Sequence, residues 1–470
     1  MEPKLVSALK FAFEQLVSSE HYRHAFELGL YLLSQNELNE NDLKQLMICA
    51  MRSNNRKRLL TLLQNKEKKS SLGLLEIGLV ASLFYQLKDT KGCIDYALKY
   101  SREKIITVDR RGDKLKVLAL QTYASGAFNF NPRSKRFHMP EGHNNLMTLF
   151  ERDIKKIVLR VDDIERALDK IKRDQIHFDV IYNSITDPDR CAQALHNALI
   201  LCEAFPNVAV INHPKAVLDT TRDNNYQRFH QNRHIIYPKN VKLKGVTGNC
   251  HKLISQALSK HNFTFPVIVR LSGYQGGKNM YLIDAIDSHD FADFDAVVAQ
   301  GAKDIYLIEY VDVSFTDKRL PDTKLYPKFR AFLAGGKLYP IHLFTAANDF
   351  NVHLANSESL MQANSWLVEK EKDFCKNPEG VIGKEYWKAL EKLLRQSGLD
   401  YVGIDFAVSD EQSRKGVVVF EVNAAMRNWM KSDRAPMHVR KAWEKVTRRM
   451  HHVLCERAQV PAWKFYLPVE

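Results

Sequence analysis

The stretch Tyr401–Met426, YVGIDFAVSDEQSRKGVVVFEVNAAM, decides the reading of the fold. Two short runs rich in Val, Ile and Phe flank a polar turn around Asp410–Gly416, the signature of a β-hairpin. Closed symmetrically about Ser413, the hairpin sets Ile404 opposite Val422, Phe406 opposite Phe420 and Val408 opposite Val418. These apolar pairs share one face, because side chains alternate along a strand. Asp405 then falls directly across from Glu421 on the other face, with Asn423 further along that face. Carboxylates brought so close repel unless a positive charge lies between them. A divalent cation of the magnesium type takes all-oxygen ligands of this kind. A half-exposed hairpin, apolar inside and acidic outside, explains the same pattern without an ion, so the decision passes to the rest of the chain.

A chain of 470 residues is too long for one ordinary core and implies two to four units. Its 45% hydrophobic and 26% charged content is that of a globular protein. No apolar run is long enough to cross a bilayer, and the start MEPKLVSALKFAFEQ lacks the layout of a signal peptide. It reads instead as a helix with Leu5, Leu9, Ala12, Phe13 and Leu16 on one side. Seven scattered cysteines suit reduced thiols and a cytoplasmic location, and no Cys/His cluster has zinc spacing. The net charge of +14 points to anionic company, yet the excess is spread along the chain without an aromatic-and-basic ladder. A solvated basic surface accounts for it better than a nucleic-acid partner.

Residues 1–128 read as entirely helical. Leu74, Ile77, Gly78, Ala81, Ile94 and Ala97 fall at the spacings of one tetratricopeptide-type helix pair. A repeat array offering a groove to a peptide and a plain helical bundle both fit this region. Residues 129–154 form a linker rich in Pro, Gly and basic residues, with aromatics that have something to pack against. From 155 to 235 strands alternate with helices, which predicts a small parallel sheet. Thr220–His230 is expected to be a helix with Arg222 and Arg228 exposed. Residues 236–433 bring further strands, including FPVIVRL, MYLI, DIYLIEYVDV, LYPKFRAFLA and GKLYPIHLF, and the amphipathic helix EYWKALEKLLRQSG that leads into the hairpin. Residues 434–470 are a basic helical extension with Trp443, Val446 and Val453 on its inward side.

Between two of the strands lies SGYQGGKN, whose Gly273, Gly276 and Gly277 let backbone N–H groups approach phosphate oxygens closely. It is neither a Walker loop nor a dinucleotide fingerprint, because the spacing to Lys278 is wrong and a strand follows it. Arg270, Lys278, Lys328 and Arg330 could gather around a polyphosphate, and Lys328 and Arg330 share a strand face.

The order of these parts is a small α/β domain, a strand–glycine loop–strand flap, the acidic segment LIEYVD, a strand bearing KFR, and a terminal hairpin carrying IDF and FEVN. That order resembles the ATP-grasp superfamily over roughly residues 155–430. The expected class is α+β: an all-helical, repeat-like N-terminal region, a small pre-ATP-grasp domain, and a two-subdomain ATP-grasp fold. The resemblance implies that Asp405, Glu421 and Asn423 hold two magnesium ions on the ATP phosphates. Arg270 takes the place of a phosphate-binding lysine. Leu307 and Ile308 serve as the adenine hinge and Glu309 as the ribose ligand. Arg330, with Lys328, lies beside the transferred phosphate, and His342, Asn351 and His353 lie near the substrate. Arginine at Arg270 departs from the pattern in geometry, and Lys328 stands where related ligases often have an acid.

The activity so implied is ATP-dependent ligation of a carboxylate to an amine through an acyl-phosphate, on a peptide or protein recruited by the helical region. A kinase acting on a hydroxyl and a non-catalytic repeat adaptor with a nucleotide-sensing site are the competing readings. No GxSxG or HExxH motif supports a hydrolase.

Overall fold

The computed structural model describes residues 2–108, 114–149, 154–274, 277–409, 415–430, 432 and 435–462. The hairpin turn about Ser413 and Gly276 of the glycine-rich loop lie outside the described residues. The chain forms two compact units, one of residues 1–107, 121–143 and 159–174, the other of the remainder.

The first unit begins with six helices, Pro3–Ser18, Tyr22–Ser34, Glu40–Arg52, Arg56–Glu67, Leu74–Gln86 and Thr90–Glu103. Their starts are set by local polar groups. Asn39 accepts from the backbone of Asn41 and Asp42 while Asp42 accepts from Asn39, a reciprocal capping box. Phe13, Phe26, Leu46, Met47, Leu63, Leu79 and Phe130 fill the core. Gly78 is required by close packing, since a Cβ there would meet the Phe137 ring at 2.6 Å and Tyr100 at 3.1 Å. The aromatic linker therefore packs as expected. It folds a small hairpin, Asn129–Asn131 with Arg136–His138, and stacks Phe128 on Phe137 at 5.0 Å.

The expectation of helix throughout 1–128 fails at its end. Ile106–Val108 and Leu115–Gln121 are strands. The second of these belongs to the second unit, where it pairs in parallel with Val180–Asn183. LKVLALQ is buried on both faces, and an apolar run of that kind carries no period that separates strand from helix.

In the second unit the small sheet runs in the order Ile154–Arg160, Leu115–Gln121, Val180–Asn183, Val210–Ile211. An antiparallel sheet follows, in the order Met280–Ile283, Val267–Leu271, Lys303–Glu309, Asn240–Val246. A larger sheet is ordered Phe315–Asp317, Leu320–Ala334, Tyr401–Ser409, Gly416–Asn423, Ile235–Ile236, with Lys337–Ala347 also paired to Leu320–Ala334. Helix Met437–Arg457 covers it, with Trp443, Val446 and Val453 buried and Trp443 edge-on to Phe332 at 4.7 Å. Helices preceding a mixed α+β part agree with the expected class. The seven cysteines are free thiols, and no helix of the described residues is long and apolar enough to cross a membrane.

Candidate functional site

The hairpin pairs Ile404 with Val422 and Asp405 with Glu421, as alternation requires. Beyond that point the register slips by one residue: Phe406 faces Val419 and Val408 faces Val417, not Phe420 and Val418. The extra residue is Phe420. A β-bulge of this kind leaves backbone groups outside the ladder, and the Phe420 carbonyl accepts from Arg222 Nη1 at 3.1 Å.

Four side chains then stand in register across four adjacent strands: His342, Arg330, Asp405 and Glu421. Arg330 forks onto Asp405, donating from Nε to Oδ1 at 2.6 Å and from Nη2 to Oδ2 at 2.7 Å. Lys328 Nζ lies 3.8 Å from the same carboxylate and donates to the Val352 carbonyl. Burial alone would raise the Asp405 pKa, but Arg330 and Lys328 outweigh it and hold the group down to about 2. Burial, aided by Arg330, lowers the Lys328 pKa. His342 stacks on Phe344 at 3.9 Å and on Trp429 at 5.6 Å, and neither ring nitrogen has a hydrogen-bond partner among the described residues. Burial first, then the cations Arg330 and Lys328, push its pKa well below the ordinary value, so the imidazole is neutral.

Glu421 faces a different cation. Its Oε1 accepts from Arg222 Nη2 and from the Asn423 amide at 3.1 Å. Asn423 Oδ1 accepts from the Ala425 backbone at 2.6 Å. Glu421, Val422 and Asn423 form one wall of a cleft. Thr186–Asp189, Thr220–Arg222, Arg270, Ser272–Tyr274 and Tyr306 form the others. Arg270 is 8% exposed, donates to the Tyr274 carbonyl at 2.6 Å, and has a buried Nε without a partner among the described residues. Burial and the like charge of Arg222 push its pKa down to about 10. The Thr186 hydroxyl is another buried polar group without a partner among the described residues.

Loop 186–190 also anchors the base of the glycine-rich turn. Asp189 accepts from Lys242 Nζ at 2.6 Å and from the Tyr306 hydroxyl at 2.9 Å, and Arg190 donates to the Gly273 carbonyl. Gly277 lies against the Asn351 amide, and Lys278 is exposed. Leu307 and Ile308 sit inside a strand paired on both sides, with Leu307 buried in the core. The ladder ends at Glu309, whose carboxylate accepts from the Lys239 backbone at 2.9 Å. The structure thus brings Arg270, Gly273, Glu421 and Asn423 to one cleft. Asp405 stands one strand further back, and Lys328 and Arg330 two.

Among the described residues no three His, Cys, Asp or Glu side chains are grouped as a metal set. The donors present are two cross-strand carboxylates and an amide, all hard oxygens. Magnesium binds through one or two carboxylates completed by substrate phosphates, so this set fits it. Guanidinium groups now neutralise both carboxylates, Arg330 on Asp405 and Arg222 on Glu421.

Arg222, expected to be exposed, is a correction: its side chain is 17% exposed and salt-bridged. The signal lay in its spacing, because Arg222, Asn225 and Phe229 fall on one helix face and the latter two are buried. Asp189, Lys242 and Tyr306 carried no motif, since Lys242 and Tyr306 meet across two strands distant in sequence and Asp189 reaches them from a loop.

No protein-family model matches the sequence, and no curated protein matches it. Solved structures that resemble the chain include the D-alanine–D-alanine ligase of Bacillus anthracis complexed with ATP, at 9% identity and a TM-score of 0.41, covering 73% of this chain and 97% of that one. A carboxyaminoimidazole ribonucleotide synthase from Aspergillus clavatus complexed with ATP gives 10%, 0.39, 74% and 78%. The ATP-grasp ligase PsnB with precursor peptide PsnA2 and AMPPNP gives 11%, 0.36, 74% and 99%.

Proposed function

We propose that this chain is an ATP- and magnesium-dependent carboxylate–amine ligase of the ATP-grasp type, acting through an acyl-phosphate on a peptide or protein. The observation that supports it most is Arg270. A guanidinium this deeply buried, with an Nε that has no hydrogen-bond partner among the described residues, calls for an anionic ligand. It stands beside a glycine turn, a second arginine and a carboxylate–amide pair in one cleft.

In this reading Arg270, Lys278 and the backbone of the Gly273–Gly277 turn hold the ATP phosphates. Leu307–Glu309 meet the adenine and ribose. Asp405, Glu421 and Asn423 would hold the magnesium ions, which supply charge neutralisation on the phosphates. A substrate carboxylate oxygen attacks the γ-phosphorus and the bond to ADP breaks, with Arg330 and Lys328 countering the developing charge. An amine nitrogen then attacks the acyl carbon, the carbon–oxygen bond to phosphate breaks, and the departing phosphate takes up the proton. The glycine-rich hairpin excludes water from the acyl-phosphate. The helical unit would recruit the macromolecular substrate, and its first two helices expose Leu5, Phe11 and Tyr31. Unpaired thiols support a cytoplasmic setting.

The test combines two measurements. ATP with magnesium should raise the melting temperature of wild-type protein but not of Arg270→Ala. Hydroxylamine added with ATP and candidate peptides should trap a hydroxamate, which a hydroxyl kinase cannot form. Absence of the thermal shift in wild type removes the nucleotide site; a shift without hydroxamate, with phosphate found on a hydroxyl, makes the chain a kinase. Glu421→Gln should abolish turnover while leaving the fold intact.

A further inference from the structure

Arg222 belongs to no part of the reaction described above, yet it occupies the centre of the site. It is the first residue of helix Arg222–Phe229, so its backbone is fixed while its side chain reaches into the cleft. Its guanidinium is shared between the Glu421 carboxylate and the carbonyl freed by the bulge at Phe420. Both side chains of the pair are largely buried, at 17% and 22% exposure. Around Arg222 the charged and ionisable neighbours are Glu421, Asp189, Tyr237, Tyr306 and Arg270. Asp189 is already neutralised by Lys242, which leaves Glu421 as its anion and Arg270 as a like charge facing it.

We infer that Arg222 is a resident cation that competes with the divalent ion for Glu421, and that polyphosphate draws it away so that the metal enters only with nucleotide. The inference rests on the metal reading of Glu421 and Asn423. Three features carry it. Glu421 lines the cleft, and its Oε1 is taken by Arg222 and Asn423. A doubly charged ion at that carboxylate would meet a guanidinium at contact distance, so the two cannot both be bound there. Arg270 repels Arg222 across the cleft, and an anion placed between them would bind both. Arg222 is thus a positioning residue: it keeps the carboxylate paired in the empty site and keeps metal out until a phosphate chain arrives.

The test is Mn2+ binding to the full-length chain, read from the electron paramagnetic resonance of free Mn2+, with and without AMPPNP. Wild-type protein should bind Mn2+ weakly alone and tightly with AMPPNP. Arg222→Gln should bind Mn2+ alone at least tenfold more tightly than wild type, and Glu421→Gln in the same chain should erase that gain. Arg222→Lys, which keeps the charge without the fork, should give a smaller gain and serves if the glutamine variant fails to fold. An Arg222→Gln protein that is folded, binds Mn2+ with AMPPNP and shows no gain without it overturns the inference. Wild type that fails to bind Mn2+ even with AMPPNP removes the metal reading itself, a separate result.

Discussion

Asp405 stands directly across the hairpin from Glu421, yet the two carboxylates are held by different arginines from opposite sides, Arg330 on a neighbouring strand and Arg222 on a helix. Two negative charges are thereby stored side by side without a shared counterion. Each pair can be perturbed on its own.

Arg330→Met should destabilise the fold by about 3–5 kcal/mol, because it strands a buried carboxylate. Adding Asp405→Leu should recover part of the loss, since it removes the stranded carboxylate but takes the nearby anion from Lys328. Urea unfolding of the single and double variants measures both values, and a single-variant cost under about 1 kcal/mol contradicts the buried pair.

Two groups shape the acid side of the pH profile, each in its own window. Asp405 falls from 3.8 to about 2 on folding, so its contribution of about 2 kcal/mol is complete above pH 4 and disappears as pH falls toward 2. His342 is also depressed on folding, but for an imidazole this means that the unfolded chain takes up the proton first. Stability should therefore decline as pH drops below the ordinary histidine value of about 6.5. Asp405→Asn should flatten the acid limb below pH 4, and His342→Phe the decline that begins below about pH 6.5. Profiles that superimpose on wild type would show that neither side chain sits as described.

Gly277 has φ +71° and no room for a side chain beside the Asn351 amide. Gly277→Ala should cost about 1–2 kcal/mol from the left-handed backbone and add a clash. Asn351→Ala should relieve the clash but not the backbone cost. Thermal melts of the two single variants and the double separate the contributions.

Asp189→Ala removes the acceptor for Lys242 and Tyr306 at the base of the glycine-rich turn. Amides of residues 271–280 should then exchange hydrogen at least tenfold faster, while those of the Tyr401–Asn423 hairpin should not change. Uniform acceleration would instead mean that Asp189 supports the fold globally.

The chemistry of the hairpin was legible because alternation alone places Asp405 opposite Glu421. The slip at Phe420 was not. Val417, Val418 and Val419 are equally apolar, so no residue marks where the extra one falls, and the bulge becomes visible only through the carbonyl it frees for Arg222. Arg222 lies apart from that pattern because a charged residue on a short helix is ordinarily solvated, and only its partner Glu421, 199 residues further along the chain, reverses that. Strand Leu115–Gln121 shows the same limit: its period is silent, and its partner Val180–Asn183 lies far along the chain. The small parallel sheet, the glycine turn and the C-terminal helix were recoverable because their signals are local.

The bulge also has an evolutionary and engineering implication. Deleting Phe420 would straighten the hairpin into unbroken pairing, which by strand parity rotates either Glu421 and Asn423 or the three valines through half a turn. The acidic tip and the greasy stem can coexist on one ribbon only because a single surplus residue separates them, so loss of one codon there would exchange a wet surface for a dry one.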